Sequence, residues 1–281
     1  MTQLLKDLPM QDYHEIEACS KSMLAEILNE TPHHAYAKYL DPDRHPVIDE
    51  DEEYPYYALY KETSKKHFDI GTAVHCYVLE PDNMDKYVGI RPEGDLRSKS
   101  AKEAFDAFLE LRQGMAIITQ EDMDDIEDAA KNIMALKTTD VVLNKSGFVE
   151  STILWERPNG TKMKCRPDFV NPDMDYVVDV KTAESARKDK FYWNMRNFKY
   201  YLSHGITAEG YEAHFGRPLK AYIYLVIEKK TNLVAYYNSE LDCFQKAQEE
   251  MEIGIKIYEE CLASGIWPGY PDEIVPITLE R

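Results

Sequence analysis

Two short polar motifs constrain the fold of this chain more than any other feature. Ten residues separate Pro167-Asp168 from Asp179-Val180-Lys181. The two motifs lie at the ends of two segments that the sequence predicts to be adjoining strands. Side chains alternate along a strand, so Asp179 and Lys181 share one face while Val180 points into the opposite layer. Asp168, near the end of the neighbouring strand, can complete the same pocket. The motifs therefore predict a sheet that carries two carboxylates and an ammonium group close together.

This set of residues suits the hydrolysis of phosphodiesters. That reaction needs carboxylates to hold a divalent cation and a nearby cationic group to position or activate the attacking water. Asp168, Asp179 and Lys181 supply both, and a metal-dependent nuclease is the leading interpretation. The alternative is a surface hairpin with an ordinary Asp-to-Lys charge pattern, because Pro-Asp dipeptides are common in turns.

The second half of the chain alternates between strand and helix patterns. Segments 148–156 and 162–170 flank Pro158-Asn159-Gly160, and Asn-Gly favours a tight turn, so they predict an antiparallel hairpin. The pattern continues with a strand at 176–181, a helical region at 185–215, strands at 219–227 and 233–238, and an amphipathic helix at 241–262.

The first half has mostly helical patterns. Ser20 is a suitable N-cap for a helix that stops before Pro32. Further helices are predicted at 68–79, 100–112 and 121–136, and the acidic, tyrosine-rich stretch 45–60 is predicted to be a loop. The predicted fold class is therefore α/β, with a central mixed sheet flanked by helices and a helical N-terminal layer.

Length and composition fit one folded domain. With 281 residues, 44% of them hydrophobic, the chain can bury a substantial core, and we find no repeat or domain linker. We expect a single domain over residues 1–281, helical over about 1–145 and with the α/β core over about 146–281. The five cysteines are scattered without a Cys-x-x-Cys pair, which argues against a zinc ribbon or clustered iron–sulfur ligands.

The sequence contains no signal for a membrane. No run approaches the ~20 apolar residues that cross a bilayer, and residues 1–9 lack the apolar centre of a signal peptide. We therefore expect a cytoplasmic protein.

The formal net charge of −18 restricts where a nucleic acid can bind, because affinity for DNA comes largely from cationic side chains that replace condensed counterions. Any DNA contact must be local. Five cations cluster directly after the Asp-Val-Lys tripeptide in this otherwise acidic chain, and we expect them to contact the phosphate backbone. They are Arg187, Lys188, Lys190, Arg196 and Lys199.

Four longer strings carry a resemblance that goes beyond the short motifs. In order along the chain they are GTAVHCYVLEP (71–81), CRPDFV (165–170), VVDVKT (177–182) and GYEAHFG (210–216). Together they resemble the RecE-type (exodeoxyribonuclease VIII) nuclease domains of the PD-(D/E)xK superfamily, which also contains the RecB-type nucleases and phage lambda exonuclease. The resemblance begins near Ser20-Lys21-Ser22 and extends to about Gly216.

The resemblance implies a metal centre built from both halves of the chain. His75, Asp168 and Asp179 would bind Mg²⁺, or alternatively Mn²⁺, with the carbonyl oxygen of Val180 as a further ligand. Lys181 would be the catalytic lysine. Glu150, on the other arm of the predicted hairpin, is a further candidate for the catalytic set. Glu80, at the end of the histidine helix, is a weaker one, and the favoured interpretation is a solvent-facing residue that caps the turn at Pro81.

The chain departs from the resemblance at one place. RecB-like nucleases generally carry a glutamine, and four residues later a tyrosine, on the helix after the lysine strand. Ser203 and Thr207 occupy those positions here. Tyr200 and Tyr201 lie one turn earlier and are candidate substitutes for the missing pair.

The resemblance also implies an activity and partners. It implies digestion of double-stranded DNA from its ends in the 5′ to 3′ direction, which leaves a 3′ single strand for a RecT-like annealing protein in a phage or bacterial host. A ring of three or four subunits would enclose DNA that a protein of charge −18 holds poorly on an open surface. The alternatives are an endonuclease or single-strand-preferring nuclease of the same fold, and a non-catalytic acidic mimic of DNA.

Overall fold

The fold is described from a computed structural model, which covers residues 2–41, 69–92, 94, 97–143 and 146–277. The predicted loop at 45–60 lies outside the described residues. The same holds for residue 68, the first residue of the predicted helix at 68–79, whose remaining residues 69–79 are helical.

Helices and strands are numbered here in chain order. The helices are α1 (Met10–Glu15), α2 (Lys21–Asn29), α3 (Pro32–Tyr39), α4 (69–79), α5 (Met84–Tyr87), α6 (Lys99–Glu110), α7 (Gln120–Met134), α8 (Lys137–Val142), α9 (Lys188–Asn197), α10 (Tyr201–Phe215) and α11 (Leu241–Ser264). The strands are β1 (Gln3–Leu5), β2 (Val88–Ile90), β3 (Ala116–Ile118), β4 (Phe148–Val149), β5 (Thr152–Glu156), β6 (Lys162–Cys165), β7 (Phe169–Asn171), β8 (Tyr176–Ala183), β9 (Ala221–Glu228) and β10 (Val234–Asn238).

The central sheet is mixed, as predicted. Its strand order is β10-β9-β8-β7-β4, with β8 and β9 parallel and the other neighbours antiparallel. The eight-residue strand β8 carries the Asp-Val-Lys tripeptide, and Asp179 pairs with Tyr224 of β9. A long internal strand with neighbours on both sides gives the tripeptide a rigid support.

The predicted hairpin forms, but neither of its arms is one continuous strand. Glu156 pairs with Lys162 across the turn, and Gly160 has a φ of +89°, which a glycine adopts without a steric penalty. The first arm breaks at Glu150, where φ is +44°, and the second breaks at Pro167, which cannot donate a backbone hydrogen bond. The outer parts, β5 and β6, form a separate three-stranded sheet with β1, while β4 and β7 join the central sheet.

Two further predictions need correction. The helical region at 185–215 is two helices, since the chain turns at residues 198–200 and Lys199 has a φ of +49°. The N-terminal layer is helical for the most part, but it also contributes β1 and the parallel pair β2 and β3. The helices predicted near Ser20, 100–112, 121–136 and 241–262 form with ends shifted by at most two residues.

Alternation along β8 separates two parts of the hydrophobic core. Val178 and Val180 pack on one face with α4 and α7, whereas Val177 and Ala183 pack on the other face with α9 and α10. A third cluster lies between the three-stranded sheet and helices α2, α10 and α11. All five cysteines are free thiols, and four of them are buried. Within the described residues, no helix has the length and apolarity needed to span a bilayer.

Candidate active site

The site lies where β8 extends beyond its neighbour β7. The β7–β8 ladder ends at the pair Phe169 and Val178, because the chain before Phe169 bends away toward the second sheet. Beyond this pair, the amide of Val180 is the next one on β8 that faces the β7 edge, and it has no backbone partner on β7. It donates instead to Oδ2 of Asp168 at 2.6 Å. Because of the bend, Asp168 lies outside the strand and its carboxylate contacts the backbone of the tripeptide.

His75 reaches the same point from α4. Its Nε2 lies 2.9 Å from the carbonyl oxygen of Val180, which makes Nε2 the protonated nitrogen because a carbonyl can only accept. Its Nδ1 then faces two carboxylates, with Asp168 Oδ2 at 3.5 Å and Glu150 Oε1 at 3.6 Å. The donor atoms of His75, Glu150 and Asp168 all lie within 4.8 Å of one another. These three residues are the candidate metal centre.

The two carboxylates change the acidity of His75. Burial by itself lowers the pKa of the imidazole, but the charge of Asp168 and the hydrogen bond with Glu150 outweigh it and raise the pKa to about 9. An imidazole held this way carries a proton at neutral pH when it faces the carboxylates alone. A divalent cation would have to displace that proton to bind Nδ1.

Glu150 has a strained backbone conformation and is held in place by two hydrogen bonds. Its positive φ is an unusual conformation for a residue with a side chain, and its N–H donates to the carbonyl oxygen of Asp168 at 2.9 Å. Arg166 Nε donates to Glu150 Oε2 at 3.2 Å, and its side chain is only 10% exposed. Arg166 has no place in the sequence predictions. It lies in the string CRPDFV, two residues before Asp168, which is the signal that could have identified it.

Asp179 and Lys181 form a second pair beside this cluster. Lys181 Nζ donates to Asp179 Oδ1 at 2.7 Å and to the Val180 carbonyl at 3.1 Å. Burial lowers the pKa of Lys181, but Asp179 and Asp168 outweigh it, so the net shift is upward and the ammonium stays charged. The other carboxylate oxygen of Asp179, Oδ2, is buried and has no hydrogen-bond partner among the described residues.

These donors fit a hard divalent cation. Carboxylate oxygens with one imidazole suit Mg²⁺ or Mn²⁺, and the unpartnered Asp179 Oδ2 is a buried polar atom that needs a partner. His75, Glu150 and Asp168 lie together in the structure, and Asp179 forms an ion pair with Lys181 next to them. The Val180 carbonyl already accepts from His75 and Lys181. Glu80 accepts from Asn83 at 3.1 Å in the turn at Pro81, outside the cluster.

The residues in the glutamine and tyrosine positions point into the core. Thr207 is buried within reach of the Cys165 thiol, and Ser203 reaches the Tyr222 hydroxyl. Of the two candidate substitutes, Tyr201 donates to Glu250 at 2.7 Å and faces away from the site. Tyr200 lies beside the site, and its ring centroid is 5.5 Å from Lys181 Nζ.

Four of the five clustered cations lie at the start or on the surface of α9. Arg187 forms an ion pair with Asp189. Arg187 and Lys190, which follow β8 in the chain, line a surface cleft of about 450 Å³ together with Trp193. Lys188 is exposed, and Arg196 donates to the Tyr192 hydroxyl. Lys199 does not join them. Its ammonium turns inward onto Glu250 at 2.7 Å and is 13% exposed, because the positive φ at this position directs the side chain toward α11.

A second lysine, Lys21, lies close to the site. Its ammonium donates to the Phe198 carbonyl oxygen at 3.1 Å and lies 5.5 Å from the Tyr200 ring centroid. Burial, together with the positive charge of Lys181, lowers the pKa of Lys21 to about 8. Lys21 belongs to the Ser20-Lys21-Ser22 string, but sequence reasoning assigned it no role because α2 is distant from β8 along the chain.

Comparisons with known proteins agree with this architecture. Residues 56–277 match a family described as "PDDEXK-like domain of unknown function (DUF3799)". A Eubacterium rectale protein described as a "putative exonuclease" superposes with a TM-score of 0.63 at 14% identity, over 98% of this chain and 97% of that chain. A phage related exonuclease from Haemophilus somnus 129PT has a TM-score of 0.31 at 12% identity, over 62% of this chain and 92% of that chain, which is too low to compare folds. No curated protein matches this sequence.

Proposed function

The chain belongs to the family of PDDEXK-like domains, and from that premise we propose that it is a metal-dependent deoxyribonuclease. The observation that carries the proposal is the convergence of His75, Glu150 and Asp168 within 4.8 Å, beside the Asp179–Lys181 pair. The carboxylates and the imidazole can hold a divalent cation, and the charged lysine can stabilise negative charge, so this set suits metal-assisted phosphodiester hydrolysis.

His75, Glu150 and Asp168 would hold the cation, and the unpartnered Asp179 Oδ2 is a further candidate ligand. When bound there, a divalent cation supplies Lewis acidity toward the phosphate and makes a coordinated water more acidic.

Lys181 acts in this scheme as a permanent cation. Burial lowers its pKa, but Asp179 and Asp168 outweigh this and raise it, which favours the charged ammonium over a role as general base near neutral pH. Its ammonium can instead orient the attacking water and stabilise the negative charge that develops on the phosphate. Asp179 fixes the direction of that ammonium through the 2.7 Å contact.

The substrate we propose is the end of a DNA duplex, digested from 5′ to 3′. Support comes from the RecE-type resemblance and from the exonuclease description of the Eubacterium rectale protein with this fold. The exposed cations Arg187, Lys188, Lys190 and Arg196 would contact the phosphate backbone.

We further propose a cytoplasmic location, a RecT-like annealing partner for the 3′ strand, and a homo-oligomeric ring of three or four subunits. Light scattering at micromolar concentration tests the ring, and a monomer with high processivity would contradict it.

One assay tests the proposed function. Duplexes of equal sequence, labelled at either the 5′ or the 3′ end, are incubated with the protein and Mg²⁺, alongside closed circular duplex and single-stranded DNA. We expect Mg²⁺-dependent loss of the linear duplex and early release of the 5′ label, with the circle intact. Cleavage of the circle would indicate an endonuclease, and a preference for the single strand would indicate the other nuclease alternative. No loss of any DNA would contradict the proposed function.

A further inference from the structure

An exposed phenylalanine lies near the candidate active site. The ring of Phe198 is 55% exposed and stacks on Tyr200, with centroids 5.5 Å apart and planes 25° apart. Tyr200 in turn lies 5.5 Å from the ammonium of Lys181. The exposed ring of Phe198 is therefore connected to the proposed catalytic lysine through one intervening ring, that of Tyr200.

The chain holds Phe198 in this outward position. Lys21 and Asn29 of α2 donate to the carbonyl oxygens of Phe198 and Asn197, at 3.1 and 3.3 Å. The next residue, Lys199, has a positive φ, and its side chain is anchored inward on Glu250. A turn fixed from both sides presents a large apolar ring to solvent, although burying that ring would be favourable.

Charge favours a nucleic acid as the occupant of this surface. Lys21 and Lys181 both lie 5.5 Å from the Tyr200 ring centroid, so the two stacked rings have cations beside them. Proteins bind single strands by combining cationic groups that follow the backbone with aromatic rings that stack on bases. Paired bases inside a duplex are stacked on both faces, so the ring is open only to a base at a strand end, and an unpaired base there can turn toward it most freely.

We propose that Phe198, supported by Tyr200, stacks on an unpaired base of the nucleotide next to the phosphodiester held at Lys181. This inference rests on the proposed nuclease function and deepens it. The substrate is then a DNA end whose terminal nucleotides have separated, and Phe198 is a positioning residue for that end.

Fluorescence of 2-aminopurine tests the inference without cleavage. The probe base is placed in turn at each of the first four positions from the 5′ end and once in the duplex interior, and protein is titrated in EDTA. We expect stacking to quench the probe at one or two adjacent positions near the end. Phe198→Tyr should retain the quenching, and Phe198→Ala should lose it and weaken binding of frayed ends by ~10-fold. The control Tyr270→Ala, at an exposed aromatic beside His34 of α3, should behave as the native protein.

The outcomes separate this inference from the proposed function. Binding with unchanged fluorescence at every position, or quenching that persists in Phe198→Ala, would overturn the stacking role and leave the nuclease proposal standing. A native protein that binds none of the oligonucleotides, either in EDTA or with Ca²⁺ in place of Mg²⁺, would overturn both. Thermal melting of each variant identifies any loss of folding. If Phe198→Ala unfolds, Phe198→Leu takes its place, because it keeps an apolar side chain but has no ring to stack, and quenching that persists in it would likewise overturn the stacking role.

Discussion

The amide nitrogen of Glu150 donates to the carbonyl oxygen of Asp168 at 2.9 Å, at the point where both arms of the hairpin pass from one sheet to the other. The same break that ends regular pairing in each arm frees a carboxylate to turn toward His75. The metal centre we propose is therefore a product of the junction between the two sheets. A hairpin of two unbroken arms would leave these carboxylates on the faces that strand alternation gives them.

Replacing Lys181 should separate cation binding from turnover. Lys181→Ala removes the charge that we assign to the water and the transition state, and it leaves His75, Glu150 and Asp168 in place. We expect duplex degradation to fall by at least ~100-fold, about 3 kcal/mol of transition-state stabilisation, with Mn²⁺ affinity close to native. Lys256→Ala, at an exposed lysine of α11, is the matched control. Normal degradation by the Lys181 variant would exclude the assigned role.

Arg166 should act through Glu150. Arg166→Met removes the 3.2 Å contact that orients this carboxylate, and partners of metal ligands typically contribute ~10-fold or more to metal affinity. We expect Mn²⁺ affinity and degradation to fall together by about that factor. Arg112→Met, which removes a contact with the Phe108 ring outside the metal cluster, should leave both unchanged. If Arg166→Met reduced activity at saturating Mn²⁺ with native affinity, the arginine would act elsewhere.

The metal-free protein should lose stability as the pH rises above neutrality. The pKa of His75 is about 9 in the folded state and about 6.5 when unfolded, so its stabilising contribution is complete below 6.5 and disappears through 9. Lys21, whose folded pKa is about 8, gives a trend of opposite sign that begins near pH 8. We therefore expect the free energy of unfolding in EDTA, measured with urea, to fall between pH 6.5 and 8.

The control for this titration is His75→Asn, which keeps a polar side chain but cannot titrate. It should show a flatter pH dependence than the native protein from 6.5 to 8. Because the contribution of Lys21 is common to both proteins and cancels in their difference, that difference should keep changing in the same direction up to about pH 9. Parallel curves for the two proteins would show that His75 is not protonated by its carboxylate neighbours.

Local patterns predicted most of the elements, and the four quoted strings predicted the superfamily, which is confirmed. The alternation of β8 placed Asp179 and Lys181 on one face, as Val178 and Val180 in the opposite core layer demonstrate. The Asn-Gly turn correctly located the hairpin because that dipeptide adopts its conformation from local sterics alone.

The remaining features depend on contacts between distant segments. Nothing in the residues near Glu150 indicates that its strand breaks, because its positive φ is stabilised by Asp168 and Arg166 on the other arm. Lys199 looked like part of a basic stretch, but its partner Glu250 is 51 residues further along the chain. The relation of Lys21 to Tyr200 likewise follows from the packing of α2 near the start of α10.

The glycine in the string GYEAHFG should be required for packing. A Cβ on Gly210 of α10 would lie 2.7 Å from a ring carbon of the buried Trp155, so Gly210→Ala forces that ring to move. We expect a loss of ~1–3 kcal/mol in the free energy of unfolding, measured by urea denaturation. Gly71→Ala on α4 is the control, because its Cβ would meet nothing within 4 Å and should be neutral or stabilising. Equal effects of the two substitutions would contradict the packing at Trp155.

The central claim is that His75, Glu150 and Asp168 hold a divalent cation. Titration calorimetry with Mn²⁺ on the native protein, on Asp168→Asn and on Asp173→Asn tests it most directly. The first substitution removes a ligand charge but keeps an acceptor for the Val180 amide, and the second removes the charge of an exposed aspartate five residues away. We predict one binding event that persists in Asp173→Asn and is absent from Asp168→Asn. Native binding of Mn²⁺ by the Asp168 variant would contradict the account.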